Sequence, residues 1–354
     1  MTQTTPLFLS PEGLLDIPAI TTTKGEVFLN VYARLRHDEL WAPRGFTIAK
    51  EQFHLAGNAL CQPIIGRGST PRVTTQPNRY IIATGQDTIC IERSSGHLVS
   101  WRHATTELLR APLQPYFWRP PTENQKHNDY VGRLGAWRNV ATTMTLVGTD
   151  VTQQDGLAML VFRMSLALGA DYELTYTINS EGQVQVTAHY VPHGENLPLM
   201  PKFGMRMQLC PQLNVITWYG RGEYENYPDR QSSAFIGAYS QPLSNLNVPY
   251  PAPQENGNRC DARWIDFSDG NGHHLHVAGL QPLCFRAWPW SETDIEQARH
   301  PHELPVTDYI NVNIDLNVHG VGCNDGWGAR TLDKYTIPAN EPYNYGFILS
   351  CEGF

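Results

Sequence analysis

The sequence predicts an all-β fold, most of it one large antiparallel sandwich. Three stretches alternate in character: Tyr172, Leu174, Tyr176 and Ile178; Val184, Val186, Ala188 and Tyr190; and Ile310, Val312, Ile314, Leu316 and Val318. A period of two places each set on one face of a strand. Short turns containing glycine, Asn179-Ser180-Glu181-Gly182 and Asp269-Gly270-Asn271-Gly272, separate such stretches as hairpin connections do. Only one segment reads as a convincing helix. Ser291 caps it, Asp294 stands at the capping-box position, and Pro301 is set to stop it. Many strands with few helices mean two packed sheets.

In chain order, residues 1–60 read as a separate short β segment. A polar turn at 21–25 precedes alternation at Val27, Leu29, Val31, Ala33 and Leu35, and a second strand is expected over 45–55. Two or three strands bury no core of their own, whereas an immunoglobulin-sized sandwich needs about 100 residues. The segment is therefore expected to be part of a domain completed elsewhere. A Gly/Pro-rich linker is expected at 61–76, and the large β unit at 77–354. Within that unit, residues 80–93 and 98–103 are expected to flank a turn at 94–97.

The chain has 354 residues, 41% hydrophobic and 17% charged, with a formal charge of -8. That charge argues against nucleic acid or an anionic membrane surface as partner. No apolar run approaches the roughly 18 residues needed to cross a bilayer. Seven widely spread cysteines (61, 90, 210, 260, 284, 323 and 351), with no C-x-x-C, fit free thiols in a reducing compartment. Residues 1–6 carry neither a basic nor an apolar signal region, and a cytoplasmic location is expected.

Residues 319–330, H-G-V-G-C-N-D-G-W-G-A-R, follow the last alternating strand. Glycines permit tight turns and close backbone approach, and Asn324 and Asp325 supply directed hydrogen bonds. Trp327 on such a loop is either a packing residue, the commoner use of a large aromatic, or a flat platform for a sugar ring. Residues 117–127 join a rigid Pro pair to a polar run, and read either as a mobile lid or as a solvated connection. Residues 223–230 gather Glu223, Glu225, Asp229 and Arg230. Glycoside hydrolysis needs two carboxylates flanking one bond, but Glu223 and Glu225 at i, i+2 on a strand would point the same way. An Asp/Glu–Arg network pinning a loop is the better reading there, and also for the turn-forming segment around Glu255. His273, His274 and His276 lack a further ligand at metal spacing and read as a solvated strand face.

Taken together and in order, these stretches resemble the C-terminal part of the large lac-type bacterial β-galactosidases, or the small subunit of their two-chain relatives. Phe117-Trp118-Arg119 with Pro121, Thr122 and Asn124 resembles that family's F-W-R-x-P-T-D-N-D. Gly220 and Gly222 followed by Glu225-Asn226-Tyr227-Pro228-Asp229-Arg230 resemble its G-x-G-P-x-E-N-Y-x-D-R. Pro249-Tyr250 and Pro253-x-Glu255-Asn256-Gly257 resemble its P-Y-x-x-P-x-E-N-G, and residues 320–328 its G-V-G-G-D-D-S-W-G. Residues 15–57 resemble the end of the immunoglobulin-like domain that precedes this unit. There are departures: Glu123 and Gln125 replace aspartates, and Cys323, Asn324 and Gly326 replace Gly, Asp and Ser.

The resemblance implies a galactose mutarotase-like supersandwich that completes a β-galactosidase acting on β-galactosides such as lactose. The family's catalytic glutamates lie on a (β/α)8 barrel, as do its Mg and Na sites. This chain encodes no barrel, so no catalytic residue and no cofactor are assigned to it, and it is expected to be inactive alone. The expected partner is a large chain or the rest of the same polypeptide. The resemblance assigns Trp327 to the aglycone side of the site, with Asn324 and Asp325 holding its loop. Arg119, Glu123 and Asn124 belong to a loop beside the site, and Glu225, Asp229, Arg230 and Glu255 form a structural network. Two rivals stay open: an aldose 1-epimerase drawing on His189, His274 or Glu255, and a carbohydrate-binding sandwich without activity.

Overall fold

The computed structural model describes residues 25–352. The chain divides into two compact units, Met1–Ala59 and Leu60–Phe354. Of the turn expected at 21–25, all but Gly25 lies outside the described residues.

The described part of the first unit is one hairpin, β1 (Val27–Arg34) and β2 (Thr47–Ala56), with Val27 opposite Ala56 and Arg34 opposite Thr47. Two strands cannot enclose their own apolar side chains. Val31, Tyr32, Phe46, Ile48 and Phe53 are all exposed, and so are Leu40 and Trp41 in the connection.

The second unit is antiparallel throughout. Its strands are β3 (Arg72–Thr75), β4 (Arg79–Thr84), β5 (Asp87–Glu92), β6 (Leu98–His103), β7 (Thr106–Glu107), β8 (Leu109–Tyr116), β9 (Thr145–Gln154), β10 (Leu157–Leu166), β11 (Ala170–Asn179) and β12 (Val184–Pro192). They continue as β13 (Lys202–Leu209), β14 (Val215–Gly222), β15 (Phe235–Pro242), β16 (Arg259–Ser268), β17 (His274–Trp288), β18 (Ile310–Val318) and β19 (Tyr343–Glu352). The long strand β17 is the junction. Its first half pairs with β19, which leads through β12 and β11 to β10 and β9. Its second half pairs with β18, which leads through β13 to β8. A smaller sheet, β3 to β7, meets β8 where Leu98 lies opposite Leu113. The two layers close on an aromatic centre at Phe203. Its ring lies 5.4 to 6.2 Å from those of Phe117, Tyr172, Tyr190, Tyr343 and Tyr345. This is the large antiparallel β-sandwich that the alternation predicts.

Three local expectations need correction. Residues 61–76 are not a free linker. Arg72–Thr75 is a strand paired with β4, and upstream of it Cys61 N–H donates to Gly279 O and Ile64 N–H to Gln185 Oε1. A segment without alternation still has to satisfy its backbone, and here it does so against the sandwich. Residues 80–93 are two strands rather than one, because Gly85 takes positive φ and reverses the chain. The helix α3 (Glu292–Gln297) has the expected Ser291–Asp294 capping box, yet it ends at Ala298, before Pro301. It has two short companions, α1 (Glu123–Lys126) and α2 (Tyr130–Leu134).

The polar face of β18 is buried like the apolar one. Asn311, Asn313 and Asp315 are covered, as are Lys202 on β13, Arg286 on β17 and Glu292 of α3. Glu292 accepts from Asn311, Asn313, Arg206 and Arg286. Arg286 also donates to Glu255 and stacks 3.6 Å from the Trp288 ring centroid. Burial alone would raise the Glu292 carboxyl, but Arg286, Arg206 and Lys202 hold it down at about 2. Lys202 Nζ lies 2.9 Å from Asp315 Oδ1. Burial pushes this pair toward its neutral forms, Asp315 up to about 6 and Lys202 downward, against their mutual attraction.

Removing one member of such a cluster leaves opposite charge uncompensated in a dry interior. Arg286→Ala, measured by urea unfolding, is expected to cost about 3–5 kcal/mol. A loss below about 1 kcal/mol would mean that water reaches Glu255 and Glu292.

Candidate functional site

Strand β18 runs directly into the Trp327 loop, whose base is fixed from two distant segments, 119–125 and Asp229, and by its own ends. Gly320 O accepts from Arg119 Nη2 (3.2 Å), Gln125 Nε2 (3.1 Å), Thr331 Oγ1 (3.1 Å) and His319 Nδ1 (2.9 Å). Arg119 Nη2 also donates to His319 O at 2.9 Å, and Thr331 Oγ1 to Gly322 O at 3.1 Å. One step further out, Asp229 accepts Val321 N–H on Oδ1 (3.1 Å) and Gly322 N–H on Oδ2 (2.6 Å).

The tip holds itself. Asp325 Oδ1 accepts Trp327 N–H (2.7 Å) and Ala329 N–H (3.2 Å), and the Cys323 thiol donates to Asp325 O. Asn128 Nδ2 anchors the return limb at Ala329 O (3.0 Å), and Asn124 Nδ2 reaches the Cys323 sulfur at 3.8 Å. Above this frame Trp327 is 90% exposed. The side chain buries almost nothing within its own unit, so plugging the end of the sandwich is not its role.

The other expected residues sort differently. Of residues 117–127, 117–121 and Gln125 are buried, whereas Glu123, Asn124, Lys126 and His127 are exposed, so only the polar run is solvated. Arg119 is wholly buried, with Tyr130 beneath its guanidinium at 5.0 Å, and it serves the loop's base rather than an open site. Glu123 and Asn124 are exposed on α1, whose Thr122–Gln125 capping box fixes its start. Asp325 holds the tip, whereas Asn324 is exposed and its side chain makes no hydrogen bond within the described residues. Glu225 is buried and binds Arg230, the Tyr250 hydroxyl and Gly257 N–H. Glu255 accepts from Tyr227 and Arg286. Asp229 stands apart from that network, on the Trp327 loop.

Glu223 and Glu225 do not share a strand face. β14 ends at Gly222, leaving Glu223 exposed and Glu225 buried. His274 and His276 both face Asp266, at 2.6 and 3.5 Å, and His273 faces Asp269. Among the described residues no group of three or more His, Cys, Asp or Glu could hold a metal ion. His189, His274 and Glu255 are engaged separately, with Asn344, with Asp266, and with Tyr227 and Arg286. A groove of about 410 Å³ lies over β11, β12 and β19, lined by Glu173, Thr187, His189, Gln281 and Asn344 among others. All seven cysteines are free thiols. No helix among the described residues is long and apolar enough to cross a membrane.

Gln125, Asn128 and Thr331 were not expected to take part, and Asp229 was expected elsewhere. In the Trp327 loop the partners of Gln125, Asn128 and Asp229 lie 92 to 201 residues away in sequence, so no local pattern points to these contacts.

An antiparallel sandwich carrying such a loop defines only a broad class, and the matches narrow it. Residues 84–349 match the family described as beta galactosidase small chain, and residues 4–56 match beta-galactosidase, domain 4. The chain belongs to the β-galactosidase small-chain family. It is similar to a β-galactosidase of Priestia megaterium, 31% identical over 92% of this chain and 31% of that protein. A β-galactosidase of Lactobacillus delbrueckii subsp. bulgaricus is 30% identical over 92% of this chain and 32% of its own length. The chain thus spans about a third of the length of the curated relatives it matches. Among solved structures, a galactose 1-epimerase from Lactobacillus acidophilus superposes with TM-score 0.47 at 9% identity, covering 81% of this chain and 100% of that one.

His319 gives the loop's base a pH dependence. Its Nδ1–H donates to Gly320 O, and the ring lies edge-on to Tyr130 at 5.8 Å. Burial first, and the Arg119 charge next, lower its pKa to about 4. The neutral ring therefore belongs to the folded state. Its contribution is whole above the unfolded value near 6.5 and is lost as pH falls toward 4. Chemical unfolding at pH 7 and pH 4 should show the native chain losing roughly 3 kcal/mol more than His319→Asn, which does not titrate. Equal losses would show that the ring is hydrated and free to protonate.

Proposed function

We propose that this chain is the C-terminal part, or small subunit, of a β-galactosidase, and that it supplies one wall of the active site. The observation that carries the reading is Trp327, which is 90% exposed on a loop whose base is buried and hydrogen-bonded from three directions. A flat indole presented rigidly to solvent suits the apolar face of a sugar, and Trp327 is assigned here to the leaving-group side of a β-galactoside such as lactose. Membership of the small-chain family supports that assignment. Asp325 shapes the tip, Asn124 borders it from α1, and Glu123, exposed on the same helix, is assigned to the loop beside the site.

The buried carboxylates of this chain are committed to structure. Glu225, Glu255 and Glu292 each bind an arginine, so the acid/base and nucleophile carboxylates belong to the remaining two thirds of the enzyme. Any Mg or Na ion of the complete enzyme is placed there too, and no step assigned to this chain passes through one. The same reading makes the complete protein an oligomeric cytoplasmic enzyme of lactose catabolism. The exposed apolar faces of the β1–β2 hairpin, together with the domain 4 match, support its completion by strands from the rest of the enzyme.

An aryl β-galactoside assay on the chain alone, and on the chain mixed with the missing two thirds, tests this directly. Activity is expected only in the mixture, and activity of the chain alone would refute the proposal. In the complete enzyme Trp327→Ala should raise KM for lactose roughly five- to tenfold, the equivalent of about 1–1.5 kcal/mol of lost stacking. An unchanged KM would leave Trp327 outside the site.

A further inference from the structure

We propose that Asp229 is the positioning residue of the Trp327 loop and thereby sets the enzyme's affinity for the leaving-group side of its substrate. The inference rests on the reading of Trp327 given above.

Asp229 lies at the corner of a tight turn in which Tyr227 and Arg230 exchange backbone hydrogen bonds. The turn is fixed from below, where Tyr227 is buried and its hydroxyl donates to Glu255. Glu225, four residues earlier, is satisfied by Arg230, Tyr250 and Gly257 N–H. Asp229 contributes nothing to that set, and its carboxylate bridges Val321 N–H and Gly322 N–H. These are the last attachments of the outgoing limb to a distant buried segment. Beyond them, among the described residues, the loop is held by Thr331 Oγ1 at Gly322 O, the bonds to Asp325, the long Asn124–Cys323 contact and the Asn128 anchor on the return limb.

The loop is also built around this carboxylate. A Cβ on Gly320 would lie 2.5 Å from Asp229 Oδ2, and one on Gly322 would lie 3.0 Å from the same oxygen. Apart from its chain neighbours, among the described residues that Cβ on Gly322 would meet within 4 Å only this oxygen and the carboxyl carbon of Asp229. Gly322 therefore makes room for this one side chain, and Gly320 for it and for Thr331, whose Cγ2 would lie 2.9 Å from the added Cβ. A carboxylate accepting two backbone N–H groups is charge-assisted and fixes direction as well as distance. Small displacements of a substrate-contacting group have large kinetic consequences.

Two substitutions perturb this clamp while keeping the Trp327 side chain itself unaltered. Asp229→Asn keeps the shape but has one acceptor oxygen, so one of the two N–H groups loses its partner. Gly322→Ala pushes the carboxylate away by a few tenths of an ångström. In the complete enzyme each should raise KM for lactose about three- to tenfold, with kcat within about twofold of the native value. In a Trp327→Ala background Asp229→Asn should have almost no further effect on KM, because the residue acts through the indole. An Asp229→Asn effect equal with and without Trp327, or an unchanged KM where Trp327→Ala raises it, would overturn the inference.

Amide hydrogen exchange on the full chain separates this inference from the functional reading. Asp229→Asn should speed exchange at residues 321–329 while leaving β13 and β18 unchanged. Unchanged exchange in the loop would refute the positioning role even if Trp327 proved to touch substrate. Faster exchange with no kinetic effect of Trp327→Ala would refute the functional reading and with it the affinity role of Asp229, leaving only the clamp.

Discussion

Arg286 is buried between two carboxylates, and the geometry of the candidate site depends on it. It ties Glu255, from an irregular turn, to Glu292, from a six-residue helix, beneath the polar face of β18. Glu255 in turn accepts the Tyr227 hydroxyl, and the turn from Tyr227 to Arg230 presents Asp229 to the loop that follows β18. A run of hydrogen bonds therefore connects the charged interior of the sandwich to the backbone three and four residues beyond the end of β18. Isolated charge in such an interior would cost several kcal/mol. Here each charge has opposite partners, and the cluster makes loops without regular structure as definite as the strands beneath them.

The consequence is a loop of two parts. Its base is overdetermined, since the Gly320 carbonyl alone has four donors from four residues. Its tip, from Cys323 to Gly328, turns on Asp325 and lifts Trp327 clear of its own unit. A fixed base with an exposed aromatic tip suits a surface that meets something outside this chain. Residues 117–127, read from sequence as a separate element, are part of the same structure. Arg119 and Gln125 hold the loop's base, and Asn124 touches its tip.

Much of this was legible in the sequence. Alternation located β11, β12 and β18 within a residue or two at each end, and the Ser291 capping box located the start of α3, because both signals are local. The order of four motifs carried the family and drew attention to Trp327. What was not legible depended on long-range contact. The alternate residues of β18 read as an ordinary polar face, since nothing nearby shows that Lys202, Arg286 and Glu292 will cover them. Arg119, assigned with Glu123 and Asn124 to a loop beside the site, is wholly buried beneath the Trp327 loop's base. Asp229 reads with Glu225 and Arg230 because they are neighbours in sequence, whereas its partners are 92 and 93 residues away.

On the proposed function, Trp327 is exposed in this chain because its partner is a substrate bound mostly by the rest of the enzyme. The most direct measurement is a structure of the complete enzyme with a β-galactoside bound. The account predicts the indole face of Trp327 in van der Waals contact, within about 4 Å, with the leaving-group moiety. A Trp327 packed instead into a protein–protein contact, or still facing solvent with substrate bound, would contradict it.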